Sequence, residues 1–335
     1  MLSIIVCTYN RDKYLYGALQ CIAKNGFPTE AYEIVLVNNM STDNTESECK
    51  RFEKDYPEVN FRYCLESNQG LSYARNRGIE ESQGENLLFL DDDSYIQENY
   101  LSNLQQQLNN HPEADAFGGK INPVFETGEA PKWLSKWNYS WVSAIDMGEK
   151  VCQFEGKTFP IGANMGIKKA MLMKTGPFNT QLGRSKKNLM GGEEKDLFER
   201  IRQQGGKIYY FPDVIVNHVI PPTRTTKDYV KRLGEGVGQS ERIRTLGVSK
   251  WKYLKRIFSE LVKWCGTAVL WLGFALKGHS KKEIYYLHSE RESPKVCLQD
   301  YNHWAISETR RCDGEASIVS PQNFSIITCL CDSSI

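Results

Sequence analysis

The chain has 335 residues, 40% of them hydrophobic and 25% charged, with 42 Lys and Arg against 41 Asp and Glu. This is a folded, globular composition long enough for one large or two ordinary domains, so disorder is not the default. A net charge of +1 excludes a global basic field for nucleic acid, and any cationic function is local.

The opening "MLSIIVCTYNR" reads as a strand from its second residue. It lacks the charged start, apolar stretch and small-residue cleavage site of a signal peptide, so the expected location is the cytoplasm. Ten cysteines are scattered along the chain without a CxxC pair, which points to reduced structural thiols rather than a disulfide frame. "LSIIVCTY", "YEIVLVNN", "FRYCLES" and "NLLFLDDD" are strand candidates, each separated by enough chain for a crossover helix. That alternation predicts an α/β fold with a parallel sheet, and the near-continuous apolar runs suit strands covered on both faces. After the second strand, Asp43 stands three residues before Glu46, which predicts a capping box opening a helix.

Ligands of such sheets sit beyond the carboxyl ends of the strands, so Thr8, Tyr9 and Asn10, Asn38 and Asn39, and Asp91 to Asp93 should converge on one edge. The last group poses a problem of charge. Three consecutive carboxylates at the end of the apolar run "ENLLFL" repel one another unless a cation or hydrogen-bond donors hold them. A positive partner is therefore required.

From about Asn122 to Pro160 the pattern becomes irregular, with Trp133, Trp137 and Trp141, and reads as a long insertion or mobile loop beside the site. Its tryptophans suit either a satellite apolar cluster or stacking on a ligand. "TFPIGANMGIKKAMLMKTG" reads as strand, turn and helix, and the basic loop "LGRSKKNLMGG" precedes a second acidic cluster, "GGEEKDLFERIRQQGG". There a helix of about three turns carries Leu197, Phe198 and Ile201 as its apolar stripe. Glu194 shares that face and should point inward, with Glu193 and Arg200 turned more to solvent. "GKIYYFPDVIVNHV" is a further strand pattern ending in His218.

Residues 226–246 and the stretch from Lys250 read as helices. The thirteen uncharged residues 264–276 are too few to span a bilayer, which needs ~20. Their basic flanks and tryptophans suit either a helix lying in a membrane interface or a buried core or dimer helix. The last 45 or so residues show little periodicity.

Taken in order, "SIIVCTYNR", "VLVNNMSTDNT", "NQGLSYARNRGI", "GENLLFLDDDS", "GGEEKDLFERI" and "VIVNHV" resemble the motifs of family 2 glycosyltransferases, over roughly residues 2–240. The resemblance implies a GT-A type α/β fold: a mostly parallel central sheet flanked by helices, here followed by a C-terminal helical extension. It divides the chain into a transferase domain (1–240), a basic and apolar extension that is a candidate for membrane association (241–290) and an irregular tail (291–335).

It also implies a metal-dependent, inverting transfer from a nucleoside-diphosphate-sugar to a saccharide or lipid-linked acceptor in surface polysaccharide or glycolipid synthesis, on the inner face of the cell membrane. A departing diphosphate needs a divalent cation, Mn²⁺ or Mg²⁺, on oxygen ligands. By similarity Asp93 coordinates that ion, with His218 completing the metal or diphosphate site. Asp92 reaches the donor ribose, and Asp91 shapes the turn or contacts the donor. Thr8, Tyr9, Asn38, Asn39, Gly70 and Arg75 form the rest of the donor pocket, Arg75 also being a candidate brace for the carboxylates. Glu194 is the implied general base, Glu193 its substitute, and Arg184, Lys186, Lys187 and Arg224 are candidate acceptor or phosphate contacts.

The chain departs from the family's pattern in two places: Asn38 stands where an aspartate commonly accepts from the donor base, and Glu194 where an aspartate is common. Three rival readings remain: a non-catalytic nucleotide-sugar-binding assembly subunit, a Mg²⁺-dependent phosphatase with Asp91 as nucleophile, and a nucleotidyltransferase on a similar sheet, for which the start of the chain shows no glycine- and arginine-rich triphosphate loop. The phosphatase reading leaves "VNNMSTDNT" and "GGEEKDL" unexplained.

Overall fold

A computed structural model describes residues 1–276 except Trp133, Ser135 and Lys187; for residues 136–138, 263, 264 and 266–276 it describes the backbone alone. The N-terminal half alternates as expected. Strands β1 (Leu2–Thr8), β2 (Tyr32–Asn38), β3 (Phe61–Leu65) and β4 (Asn86–Asp91) are separated by helices α1 (Asp12–Ala23), α2 (Thr45–Asp55) and α3 (Leu71–Glu81). A short β5 (Ser94–Ile96) and α4 (Tyr100–Asn110) lead into β6 (Ala114–Phe125). Next come β7 (Cys152–Gln153), β8 (Met165–Lys168), α5 (Lys169–Thr175), α6 (Glu193–Gln203) and β9 (Lys207–Ile220), and the described chain closes with α7 (Lys227–Leu246) and α8 (Lys250–Leu276).

One sheet runs β3-β2-β1-β4-β8-β6-β9-β5, with β7 on β9. Pairing is parallel from β3 to β4 and again between β6 and β9, while β8 runs antiparallel to both its neighbours. Successive side chains of a strand point to opposite faces, so the continuous apolar runs divide into two cores. Ile5, Val35, Val37, Leu87 and Phe89 pack with Ala74 of α3, Leu172 of α5 and Leu197, Phe198 and Ile201 of α6. Ile4, Val6, Ile34, Leu36, Leu88 and Leu90 pack with Leu15 and Leu19 of α1, Phe52 of α2 and Leu104 of α4.

The start of α2 corrects the expected capping box. The helix begins at Thr45, one residue later than a cap at Asp43 requires, and Glu46 pairs forward with Lys50 instead of reaching back. Asp43 accepts from Thr45 N and Oγ1 and from Asp12 N, so its carboxylate joins the loop after β1 to the start of α2.

In the irregular central stretch, residues 136–142 form a 3-10 turn, and Trp141 packs with Phe125, Leu134, Tyr139, Val142 and Ile220 as a satellite cluster. The side chains of Trp133 and Trp137 lie outside the described residues. Every described cysteine is a free thiol; Cys297, Cys312, Cys329 and Cys331 lie outside the described part, as does the expected tail. Among the described residues no helix is long and apolar enough to cross a membrane.

Candidate active site

The register of the sheet brings the strand ends together. Thr8 pairs with Asn38 and Cys7 with Asp91, so β1, β2 and β4 end side by side. The chain then turns through Asp92 and Asp93 into β5, whose Ser94 pairs with His218 of β9; Val219 N also donates to the Asp93 carbonyl at 3.0 Å. An antiparallel pairing between residues 124 apart in sequence thereby seats His218 beside Asp93. A cavity of about 450 Å³ opens above this edge, lined by Thr8, Tyr9, Asn39, Asp91 to Asp93, Glu193 and Glu194. Its size suits a small-molecule ligand.

Asp93 is fully buried. Its Oδ2 receives Arg11 Nη2 at 2.8 Å and Arg224 Nη2 at 3.2 Å, and its Oδ1 lies 3.1 Å from His218 Nε2. Burial opposes its ionisation, but the guanidinium of Arg224, joined by that of Arg11, outweighs burial and holds the carboxyl well below the usual range. For Asp92 the balance reverses. Burial and the neighbouring Asp93 charge push it up to about 7, with Arg11 only 3.8 Å away in partial compensation.

His218 Nδ1 faces the Val142 carbonyl at 3.2 Å, and its Nε2 faces Arg224 Nη1 at 3.1 Å. A carbonyl only accepts and a guanidinium only donates, which puts the proton on Nδ1 and the lone pair on Nε2. One ligand atom each from Asp91, Asp93 and His218 lies within 4.8 Å of the others. Asp93 Oδ1 receives no hydrogen bond among the described residues. A buried carboxylate oxygen without a donor, facing an imidazole lone pair, is a donor set that a divalent cation fits.

The second acidic cluster is built around Arg75 of α3, itself buried. Arg75 Nη1 meets Glu193 Oε1 at 3.0 Å, Nη2 meets Glu194 Oε1 at 3.1 Å, and Asp91 Oδ1 lies 4.0 Å off, so one guanidinium pairs with three carboxylates. Gly162 N donates to the same Glu194 oxygen at 2.9 Å. A Cβ at Gly162 would come within 1.9 Å of the guanidinium, so only glycine leaves room for this approach.

The expected orientation of Glu193 is overturned, because it is buried and the Glu194 side chain is the more exposed of the two. Glu193 stands four residues before Leu197 and so shares the inward face, and Arg75 draws both carboxylates toward it. Burial and the adjacent Glu194 push Glu193 up to about 7. Arg200 is partly exposed and donates to the Gly176 and Pro177 carbonyls at the end of α5.

The remaining expected residues divide. Thr8, Tyr9, Asn39, Gly70, Arg184, Lys186 and Arg224 line the cavity. Asn39 Oδ1 accepts from Gly70 N at 2.8 Å, and Gly70, at φ 150, opens α3 in a conformation side-chain-bearing residues rarely adopt. Asn38 is buried behind the wall: its Nδ2 donates to Tyr63 Oη and its Oδ1 accepts from Ser41 N, both at 2.8 Å. Lys187 is outside the described residues.

Sequence reasoning missed Arg11, although it closes the quoted segment "SIIVCTYNR" as the nearest cation after β1, and it missed the wall supplied by α7. From that helix Tyr229, Arg232, Leu233 and Val237 line the cavity, so α7 belongs to the site although it runs past residue 240. Burial resists ionisation of Tyr229, but Arg184, Arg224 and Arg11 outweigh burial and lower its pKa, a sign of how cationic this side is. Cys7 also lines the cavity, but burial pushes its thiol up to about 12, which leaves it inert.

A model of glycosyl transferase family 2 matches residues 3–176, from β1 through α5. The chain is 25% identical over 247 residues to the glucosyl-dolichyl phosphate glucuronosyltransferase of Haloferax volcanii, covering 73% of this chain and 77% of that one. Its fold is similar to that of a mannosyltransferase from Pyrobaculum calidifontis in complex with GDP-Man and Mn²⁺, at a TM-score of 0.56 and 18% identity, over 86% of this chain and 85% of the other. It is similar as well to residues 1–349 of TarS from S. aureus in complex with UDP-GlcNAc, at a TM-score of 0.53 and 17% identity, over 92% and 88%.

Proposed function

From the premise that the chain belongs to glycosyl transferase family 2 and is a glycosyltransferase of GT-A fold, we propose that it moves a sugar from a nucleoside-diphosphate donor to a hydroxyl acceptor, with inversion at the anomeric carbon and with the help of a divalent cation. The observation that supports this most is the meeting of Asp91 and Asp93 with His218 beside a cavity that Asp91, Asp93, Glu193 and Glu194 line together. Asp91, Asp93 and His218 would hold Mn²⁺ or Mg²⁺, which supplies positive charge to the departing diphosphate. Thr8, Tyr9, Asn39, Gly70, Arg75 and Asp92 form the donor pocket in this reading. Asn38 acts from behind it by fixing Tyr63 and the turn at Ser41.

Glu194 takes the proton of the acceptor hydroxyl as that oxygen attacks the anomeric carbon and the bond to the diphosphate oxygen breaks. Gly162 N–H and Arg75 hold its Oε1, which orients the carboxylate toward the cavity. Glu193 is the substitute base: its raised pKa suits proton transfer near neutral pH, but it is the deeper of the two. Arg184, Lys186 and Lys187 are assigned to the acceptor or to phosphate. Family membership sets aside the phosphatase reading. The assembly-subunit reading predicts no transfer to any acceptor, whereas catalysis by Glu194 predicts transfer that Glu194→Gln abolishes while donor binding survives.

A thermal-shift panel of UDP, GDP, dTDP and CDP, with and without Mn²⁺ or Mg²⁺, tests the donor site. One nucleotide should stabilise the wild type only with metal, by roughly 2.7 kcal/mol at a hundred times its dissociation constant, and Asp93→Ala should lose the effect. No stabilisation by any nucleotide in either metal would overturn the metal-dependent donor site.

In this reading residues 1–240 form the transferase domain, and 241–290 extend it at the cytoplasmic face of a membrane carrying a lipid-linked acceptor, as befits surface polysaccharide or glycolipid synthesis. The relative from Haloferax volcanii is named for a lipid-phosphate acceptor. On α8, Trp251, Leu254, Phe258 and Val262 are exposed along one face at helical spacing, and Lys250 and Lys255 are exposed beside them. Such a face suits an anionic interface. The protein should sediment with anionic liposomes at low salt, and Trp251→Ser with Phe258→Ser should abolish that; a wild type that stays in the supernatant would remove the membrane part.

A further inference from the structure

Arg224 lies on the short turn Pro222–Thr225 between β9 and α7, with its side chain reaching back over the strand end. One guanidinium nitrogen is 3.2 Å from Asp93 Oδ2 and the other 3.1 Å from His218 Nε2. These belong to two of the three groups whose ligand atoms converge on the candidate metal position. An imidazole Nε2 has a single lone pair, which either accepts from Arg224 or binds a cation. Occupation of His218 by Arg224 and by a metal ion are thus mutually exclusive. Asp93 is different, because Arg11 already holds its Oδ2 at 2.8 Å and its Oδ1 receives no hydrogen bond among the described residues. The carboxylate therefore keeps a partner when Arg224 leaves.

We propose that Arg224 is an exchangeable counter-ion of the Asp93–His218 pair. It gives way to the divalent cation, and its freed guanidinium then pairs with the diphosphate of the donor. This rests on the donor-site reading given under Proposed function. The Arg224 side chain borders the cavity, so its departure needs no opening of the core. A guanidinium also binds phosphate oxygens in a bidentate fork, which offsets the carboxylate contact it gives up. The exchange makes metal and nucleotide binding cooperative: metal alone must displace Arg224 with nothing to receive it, whereas metal with a nucleoside diphosphate provides the arginine with a new partner. By linkage the nucleotide must strengthen metal binding by the same factor as the metal strengthens nucleotide binding.

The test is Mn²⁺ affinity, read from the signal of free Mn²⁺ in electron paramagnetic resonance, for the full chain as wild type, Arg224→Met and Arg224→Lys, with and without the nucleoside diphosphate that binds. The wild type should show a coupling on the order of 5- to 150-fold between metal and nucleotide. Arg224→Met should bind Mn²⁺ alone more tightly than the wild type, because the competitor is gone, and its coupling should shrink toward one. Arg224→Lys, which keeps the charge but loses the fork, should fall between them. A matching circular dichroism spectrum for each variant shows that the fold is kept.

Mn²⁺ affinity unchanged or weakened in Arg224→Met without nucleotide would overturn the exchange while leaving the metal site standing. Binding of the nucleotide to the wild type that needs no Mn²⁺ and is lost in Arg224→Met would also overturn it, since Arg224 would then be the permanent counter-ion of the diphosphate. No Mn²⁺ binding by any form, with or without nucleotide, would overturn the metal-dependent donor site and this inference with it.

Discussion

At the end of β4 the buried Asp93 is met from three directions: by Arg11 from the loop after β1, by His218 from β9 and by Arg224 from the turn before α7. At the start of α6, Glu193 and Glu194 divide the single guanidinium of Arg75. Both places take adjacent carboxylates out of water, and the outcome follows the supply of cations. Asp93 is over-supplied and stays ionised far below its ordinary pKa, so one partner is exchangeable. Glu193 is under-supplied, and a proton supplements the missing charge near neutral pH. The first arrangement suits a place where a metal ion comes and goes, the second a place where protons do.

The strongest test of this contrast is Arg75→Met against Arg11→Met. Removing the shared partner of a buried cluster strands two carboxylates and should destabilise the fold by ~3–5 kcal/mol in urea titrations. Removing one of the two guanidinium partners of Asp93 should cost less, ~1.5–3 kcal/mol, the range of a hydrogen bond to a charged group. Equal losses would mean that the supply of cations does not distinguish the two sites.

A smaller effect lies in the pH dependence of stability. Glu193 has a folded pKa of about 7 against an ordinary 4.5, so between those values the native state holds a proton that the unfolded chain has released. Stability therefore falls as pH rises through that window, by ~3 kcal/mol for this group. Asp92, also raised to about 7, contributes a fall of the same sign. Urea unfolding from pH 5 to 8 should show a shallower decline in Glu193→Gln than in the wild type, with the Asp92 part remaining. Parallel curves would place the under-supplied charge elsewhere.

Much of the fold was legible because the alternation of apolar runs and amphipathic stretches is a local property. The strands from β1 to β4, the helices between them, helix α5, and the beginnings of α7 and α8 all follow from it. The carboxylates and His218 were legible for a related reason: costly polar residues at the ends of apolar strands stand out in one dimension. Glu193 was misjudged because a helical stripe of three residues fixes the face only to within one position, and the buried Arg75 that decides it sits 118 residues away. The box at Asp43 failed likewise, since its carboxylate is shared with Asp12 at the start of α1.

By itself, then, the sequence determined the α/β alternation, the edge at which the polar strand ends meet and the carboxylates that gather there, because periodicity and the cost of burying charge act on neighbours along the chain. Only the tertiary structure decided which cation answers which carboxylate. Arg11, Arg75 and Arg224 reach their partners across 82, 119 and 131 residues of chain, and electrostatic pairing depends on distance in space, which the folded sheet alone sets.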